Sequence, residues 1–291
     1  MNVILKLVKR NVLNYLYDKS SIFFSFLSVL IIIFLYVAFL GNMHVESIVD
    51  LVGDIPGIRW MIDSWIIAGI ITVNSITVPL SILSDMIYDI EHKTINDFLT
   101  APISRGQIVI GYLGASWLIG IVLSLFTLCL GQIYIVANGG DLISFITFIK
   151  AFLIIVLSVV TFSSFSFLLL SFVKSINTVG VVNTLVGTLI GFLAGIYVPL
   201  GAFGPGLQTA IKLNPAAHVV SIFRKIFMEV PLDKVFMGAP VEASQRYRNY
   251  NGVDLNIFDI DLSITMMVLY LITLSVIFFG LSVVRLNKMK R

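Results

Sequence analysis

The chain is poor in charge. Of its 291 residues, 12% are Asp, Glu, Lys or Arg and 58% are hydrophobic, with a mean hydropathy of +1.01. A soluble domain carries about a quarter charged residues, so this chain cannot cover a water-facing surface. It reads as an all-α polytopic membrane protein. The single cysteine, Cys129, lies inside an apolar run, which excludes an intrachain disulfide and leaves a small buried or lipid-facing side chain. The histidines, His44, His92 and His218, fall in different connections, too scattered to share a metal. There is no G-x-x-x-x-G-K-[ST] loop, no H-E-x-x-H and no G-x-S-x-G, so no cofactor, metal or catalytic group is expected in the chain itself. A formal net charge of +3 without a basic-aromatic patch excludes nucleic acid as a partner.

What the chain does have is long apolar runs. Six of them, at 22–40, 62–83, 108–137, 151–172, 178–198 and 262–284, approach or exceed the ~20 residues that cross a hydrocarbon core. They are continuous rather than alternating, which predicts helices and not barrel strands. The first is too long for a signal-peptide core and has no evident cleavage site, so it is read as retained. Lys6, Lys9, Arg10 and Lys19 precede it, and Arg285, Lys288, Lys290 and Arg291 follow the last. The first connection is mostly acidic, with Glu46, Asp50 and Asp54 against Arg59. The positive-inside rule therefore places both termini, and the connection between the second and third runs, in the cytoplasm. Residues 1–20 carry Val3, Ile4, Leu7, Val8, Val12 and Leu16 at helical spacing, with Lys6, Arg10 and Asn14 on another stripe. That predicts an interfacial helix with its basic side near lipid phosphates.

Since charge is scarce, the joint from Asp85 to Tyr112 stands out. Asp85, Asp89, Glu91, His92, Lys93 and Asp97 crowd into a short amphipathic segment that ends at Pro102. Such a segment meets water or another protein. Elsewhere, Gly187, Gly191 and Gly195 recur every fourth residue of the fifth run and predict one close-packing face, against either another helix of the chain or a second copy. After Pro199, residues 207–213 and 216–230 read as short helices broken by Asn214-Pro215, too short to span, dipping back over the outer ends of the runs. Residues 231–261 turn polar, an exposed outer cover. Within the runs, Asn74, Gln132, Asn183 and the serines of 158–166 supply polarity without charge, read mainly as helix-helix hydrogen bonds. Asp63, Asp85 and Asp89 lie only at run edges. An ion-coupled carrier or channel usually needs buried charged relays, and an intramembrane enzyme needs paired catalytic groups, so both are weaker readings.

The ordered set Asp89, Thr94, Leu99, Pro102, Ser104-Arg105 and Gly111-Tyr112, followed by Gly195-Ile196, Pro199, Asn214-Pro215 and Arg224, resembles the permease subunits of ABC-2 (type V) exporters. The resemblance covers nearly the whole chain. It departs at Lys93, where Gly is common, and at Tyr112, where Lys is common. It implies an elbow helix, six spans, a coupling helix at 90–101, and re-entrant helices at 199–261. The implied partners are a separate cytoplasmic ABC ATPase that holds ATP and Mg, and a second permease copy, identical or closely related. In that scheme Ile95, Phe98 and Leu99 would anchor in a groove of the ATPase. Asp89, Glu91, Lys93 and Asp97 would be rim charges, with Asp89 and Lys93 paired and Arg105 beyond them. The glycine face and the first span would form the dimer centre in a bacterial plasma membrane. The cargo would be amphipathic or lipid-like: a drug, a haemolysin-like toxin, an antimicrobial peptide or an envelope lipid, with drug or toxin favoured.

Overall fold

The computed structural model describes residues 2–35, 45–46, 49, 53, 55–257 and 260–288, and they are almost wholly helical. Helix α1 (Asn2–Tyr17) gives way at Asp18 to α2 (Lys19–Leu35), which is apolar nearly all round. The expected first span ends at 40; its residues 36–40 lie outside the described ones, as do Asp50, Asp54, Lys290 and Arg291. Helix α3 (Ile58–Glu91) is 34 residues long and buried on almost every side, so it forms the axis of the bundle. Helices α5 (Arg105–Ala137), α6 (Phe145–Leu170), α7 (Ile176–Leu193) and α12 (Ile264–Lys288) stand with it. Among the described residues these five are long and apolar enough to cross a membrane. Between α3 and α5 lies the short α4 (Ile95–Thr100). At the opposite, far end of the bundle, α8 (Pro205–Leu213), α9 (Pro215–Phe227), α10 (Glu229–Val235) and α11 (Val241–Tyr250) form a cap. A two-residue hairpin, Asn256–Ile257 against Ile260–Asp261, leads back into α12. The stretch 231–261, read as an exposed cover, is thus about half helical.

A helix in hydrocarbon has no water to satisfy its polar side chains, and the uncharged polar residues of the runs pair across helices. Asn74 donates to Thr127 at 2.7 Å and Ser158 to Ser75 at 3.1 Å. Ser116 and Ser163 are 2.9 Å apart, and Thr161 and Ser275 2.7 Å. Asn183 reaches Ser84 at 3.4 Å, and Gln132 accepts from the Ile143 amide at 3.2 Å. These bonds fix α3, α5, α6 and α12 in register.

Helix α7 stops at Leu193, five residues before the expected end of its span at 198. Gly195 takes φ +64, the Ile196 amide donates to the Gly191 carbonyl at 2.8 Å, and the Gly195 amide donates to Phe192 at 3.1 Å. This is a Schellman ending, which needs a left-handed residue at the glycine. The chain then folds back, and the Tyr197 ring occupies the space where a Gly191 side chain would sit. The predicted glycine face is therefore corrected: Gly195 ends the helix and Gly191 is covered from within the chain. Only Gly187 still faces open space.

Candidate functional site

The joint begins where α3 ends. After Glu91 the backbone reverses through His92, Lys93 and Thr94, with Lys93 at φ +61. A side chain in this left-handed region costs roughly 1 kcal/mol, a physical reason for glycine at the equivalent place in the resembling family. The helix that follows has six residues, shorter than the 90–101 predicted. Ala101 is extended, and Ser104 caps α5: its Oγ accepts from the Gln107 amide at 3.2 Å while its own amide donates to Gln107 Oε1 at 2.8 Å. That reciprocal capping box was present in the Ser-x-x-Gln spacing.

Amphipathicity of α4 turns inward. Ile95 and Leu99 are 4% and 6% exposed and pack with Leu83, Met86 and Ile87 of α3, Ile108 and Tyr112 of α5, and Phe167 of α6. The reading of Ile95 and Leu99 as anchors for a partner is corrected: they fasten α4 to its own bundle, where burying each removes a large apolar surface from water. Phe98 is half-buried, its ring 5.1 Å below the Arg10 guanidinium. What α4 and the preceding turn present outward is polar: Glu91, His92, Lys93, Asn96, Asp97 and Thr100. Arg105 is half-buried, and its Nη1 has no hydrogen-bond partner among the described residues.

Asp89 does not stand on the rim. It is 3% exposed, and both its oxygens accept from Arg10 of α1, at 2.5 and 2.7 Å. The Tyr112 hydroxyl donates to the same carboxylate at 2.6 Å. The Asp89–Lys93 pair does not form, because α3 ends between the two and Lys93 turns away into solvent. Glu91 accepts from the Ile176 amide at 2.7 Å and so caps the start of α7. Arg10, expected to face lipid phosphates, instead points into the joint. The Asp89 hydrogen bonds, its largest influence, raise its pKa, so it is a fixed cation. Beside it Asn11, 4% exposed, donates to the Gly111 carbonyl at 3.0 Å. Close approach makes this possible: a Cβ on Gly111 would lie 2.6 Å from Leu7 Cβ, and one on Gly114 2.6 Å from Val8 Cγ2. The joint is therefore a three-part unit of α1, α4 and the facing ends of α3 and α5, with its polar side free.

Sequence reasoning missed Arg10 and Asn11 as parts of this site. The available signal was a buried-type Asn in the apolar stripe of α1 and small residues at 111 and 114. At the far end it also missed what Asn214 and Arg224 do. Asn214 accepts from the Ala216 amide at 3.0 Å, capping α9, and donates to the Leu193 carbonyl at 3.1 Å. Arg224, 1% exposed, donates to the carbonyls of Gly195 at 2.8 Å and Asn251 at 2.9 Å, and lies 4.1 Å over the Trp65 ring. Burial lowers its pKa to about 9, still above neutrality, so it remains a cation. Two side chains of the cap thus satisfy the open carbonyls at the end of α7.

Comparison with known proteins agrees with this architecture. The family described as ABC-2 type transporter matches residues 2–228. The chain is similar to the inner membrane transport permeases YadH of Escherichia coli K12, E. coli O157:H7 and Shigella flexneri. Each is 25% identical over 206 residues, covering 69% of this chain and 76% of the relative. With five membrane-length helices and a family match over most of its length, the chain belongs to the ABC-2 type transporter family and is a multi-pass membrane permease subunit of an ABC transporter.

Proposed function

We propose that this chain is the membrane half of an ATP-driven exporter that moves an amphipathic or lipid-like cargo out of a bacterial cell. A separate cytoplasmic ATPase binds ATP and Mg and supplies the work. Two permease copies stand side by side in the plasma membrane, both termini inside, with α2 completing the sixth span. The observation that carries the reading is the construction of the joint: α4 has its apolar side buried in one cluster with α3, α5 and α6 and its polar side free. A partner that presses on Asn96, Asp97 and Thr100 moves α3 and α5 directly, and α1 follows through Arg10 and Asp89. Such a lever transmits motion because packed cores shift as units rather than deform.

Cargo chemistry follows from the walls. The polar groups deep in the spans are uncharged, and several of them bond to one another, which suits neither an ion nor a sugar. A cleft of about 310 Å³ beside α7, bordered by Phe162, Phe165, Leu189, Ile190 and Phe278, is almost wholly apolar. It favours a hydrocarbon-rich cargo, with drug or toxin the leading candidates. The exposed side of α7, with Gly187 open, is the proposed contact between copies.

The test is reconstitution. The purified chain should hydrolyse no ATP, whereas co-expression with its ATPase should give a stable complex that does, stimulated by an amphipathic cargo and accompanied by cargo efflux from cells. Hydrolysis by the chain alone, or failure to bind any ABC ATPase, would overturn the proposal.

A further inference from the structure

At the far end, α6, the start of α12 and the cap helices α9, α10 and α11 enclose a hollow of about 620 Å³. Its wall is apolar where the spans contribute, at Leu153, Ile154 and Ile264, and continues so along Ile222 and Ile226 of the cap. Its remaining lining is charged in both senses. Lys150 comes from α6, Lys225 from the last turn of α9 and Arg248 from α11, while α10 contributes Glu229 and Asp233 four residues apart, on one face.

Two of the three cations are held in place. Asp254 accepts from Lys225 at 2.6 Å and from two nitrogens of Arg248, at 2.5 and 3.2 Å. One carboxylate offsets only one of those two cations, and Nη1 of Arg248 is left over for another acceptor. Lys150, Glu229 and Asp233 form no ion pair among the described residues, although they line one hollow. The site therefore has an excess of donors from α6, α9 and α11, an excess of acceptors from α10, and an oily wall at the depth where spans meet the headgroup region.

We propose that this hollow binds a glycerophospholipid whose headgroup carries both phosphate and a primary ammonium, as in phosphatidylethanolamine. The phosphate takes the bonds of Lys150, Lys225 and Arg248, the ammonium is held by Glu229 and Asp233, and an acyl chain lies along Leu153, Ile154 and Ile226. A purely anionic headgroup would leave its negative charge facing the two α10 carboxylates with no cation to offset them. The site is independent of the transport reading, since it involves neither the joint nor the ATPase.

Native mass spectrometry of the detergent-solubilised full chain tests this by titration with phosphatidylethanolamine, phosphatidylglycerol and phosphatidic acid of matched acyl chains. Phosphatidylethanolamine should be retained about ten-fold more tightly than either anionic lipid, the ratio worth roughly one charge-assisted hydrogen bond. Glu229→Gln with Asp233→Asn, both exposed positions, should erase that preference, and Lys150→Ala should weaken all three lipids. Because the headgroup series uses the wild-type chain, a variant that failed to fold would not decide the matter. Equal retention of the three lipids, or a preference untouched by the α10 substitutions, would overturn the proposal. Equal binding of water-soluble glycerophosphoethanolamine would overturn the lipid assignment.

Discussion

Removing Arg10 should unfasten α1 from the joint. In Arg10→Ala, Asp89 loses two charge-assisted donors and keeps only the Tyr112 hydroxyl, at a site 3% exposed. Stranding a buried carboxylate costs about 3–5 kcal/mol; since the Arg10 side chain is 30% exposed, water can reach the vacated space and the lower end, about 3 kcal/mol, is expected. Asp89→Asn removes the charge, so the double variant Arg10→Ala/Asp89→Asn should recover about 1–2 kcal/mol relative to the single Arg10 variant. Thermal unfolding of the four proteins in one detergent measures the cycle. A thiol at Val8→Cys in a Cys129→Ser background reports the location of the loss, because Val8 packs on Gly114 and should become labelled when α1 lifts. A loss below about 1 kcal/mol for Arg10→Ala, together with unchanged labelling at position 8, would refute the clamp.

Other outcomes follow from the same geometry. Lys93→Gly should raise stability by up to about 1 kcal/mol, since glycine takes the left-handed turn without strain; a lower melting temperature would contradict it. Gly191→Leu should displace the Tyr197 ring and destabilise the isolated subunit, whereas Gly187→Leu should leave its stability nearly unchanged and weaken crosslinking between copies through α7. Arg224→Leu would leave the Gly195 carbonyl without its donor, while the Asn251 carbonyl would keep its bond from the Trp65 indole, so about 1–3 kcal/mol should be lost from the cap, read as faster amide exchange in α9. Burial alone would raise the pKa of Asp254, but bonds from Arg248 and Lys225 outweigh it and hold it low. Its stabilising contribution is therefore complete above about pH 4 and is lost as pH falls through the depressed folded value. Asp254→Asn should abolish that acid sensitivity of α11 protection.

The long helices were legible in the sequence because hydrocarbon tolerates little else: runs near 62, 108, 151 and 262 became α3, α5, α6 and α12. The turn at Asn214-Pro215 was equally plain, since proline suits the first position of a helix and asparagine its cap. Side-chain direction was not legible. An apolar stripe on α4 reads identically whether it covers a partner or its own core, and only the position of Leu83, Ile108 and Phe167 decides between them. The charge on Asp89 was visible, but its partner Arg10 lies 79 positions away, a separation that no local pattern spans. The four-residue glycine spacing signalled a packing face, yet the positive φ of Gly195 belongs to a helix end, and the ring that covers Gly191 comes from beyond it.

The orientation of α4 is the central claim, and site-directed crosslinking to the co-purified ATPase tests it most directly. In a Cys129→Ser background, cysteines at Asn96 and Thr100 should crosslink to the ATPase, and cysteines at Ile95 and Leu99 should not, because those two positions are sealed within the bundle. Crosslinks from 95 and 99 with none from 96 and 100 would contradict the inward-facing lever.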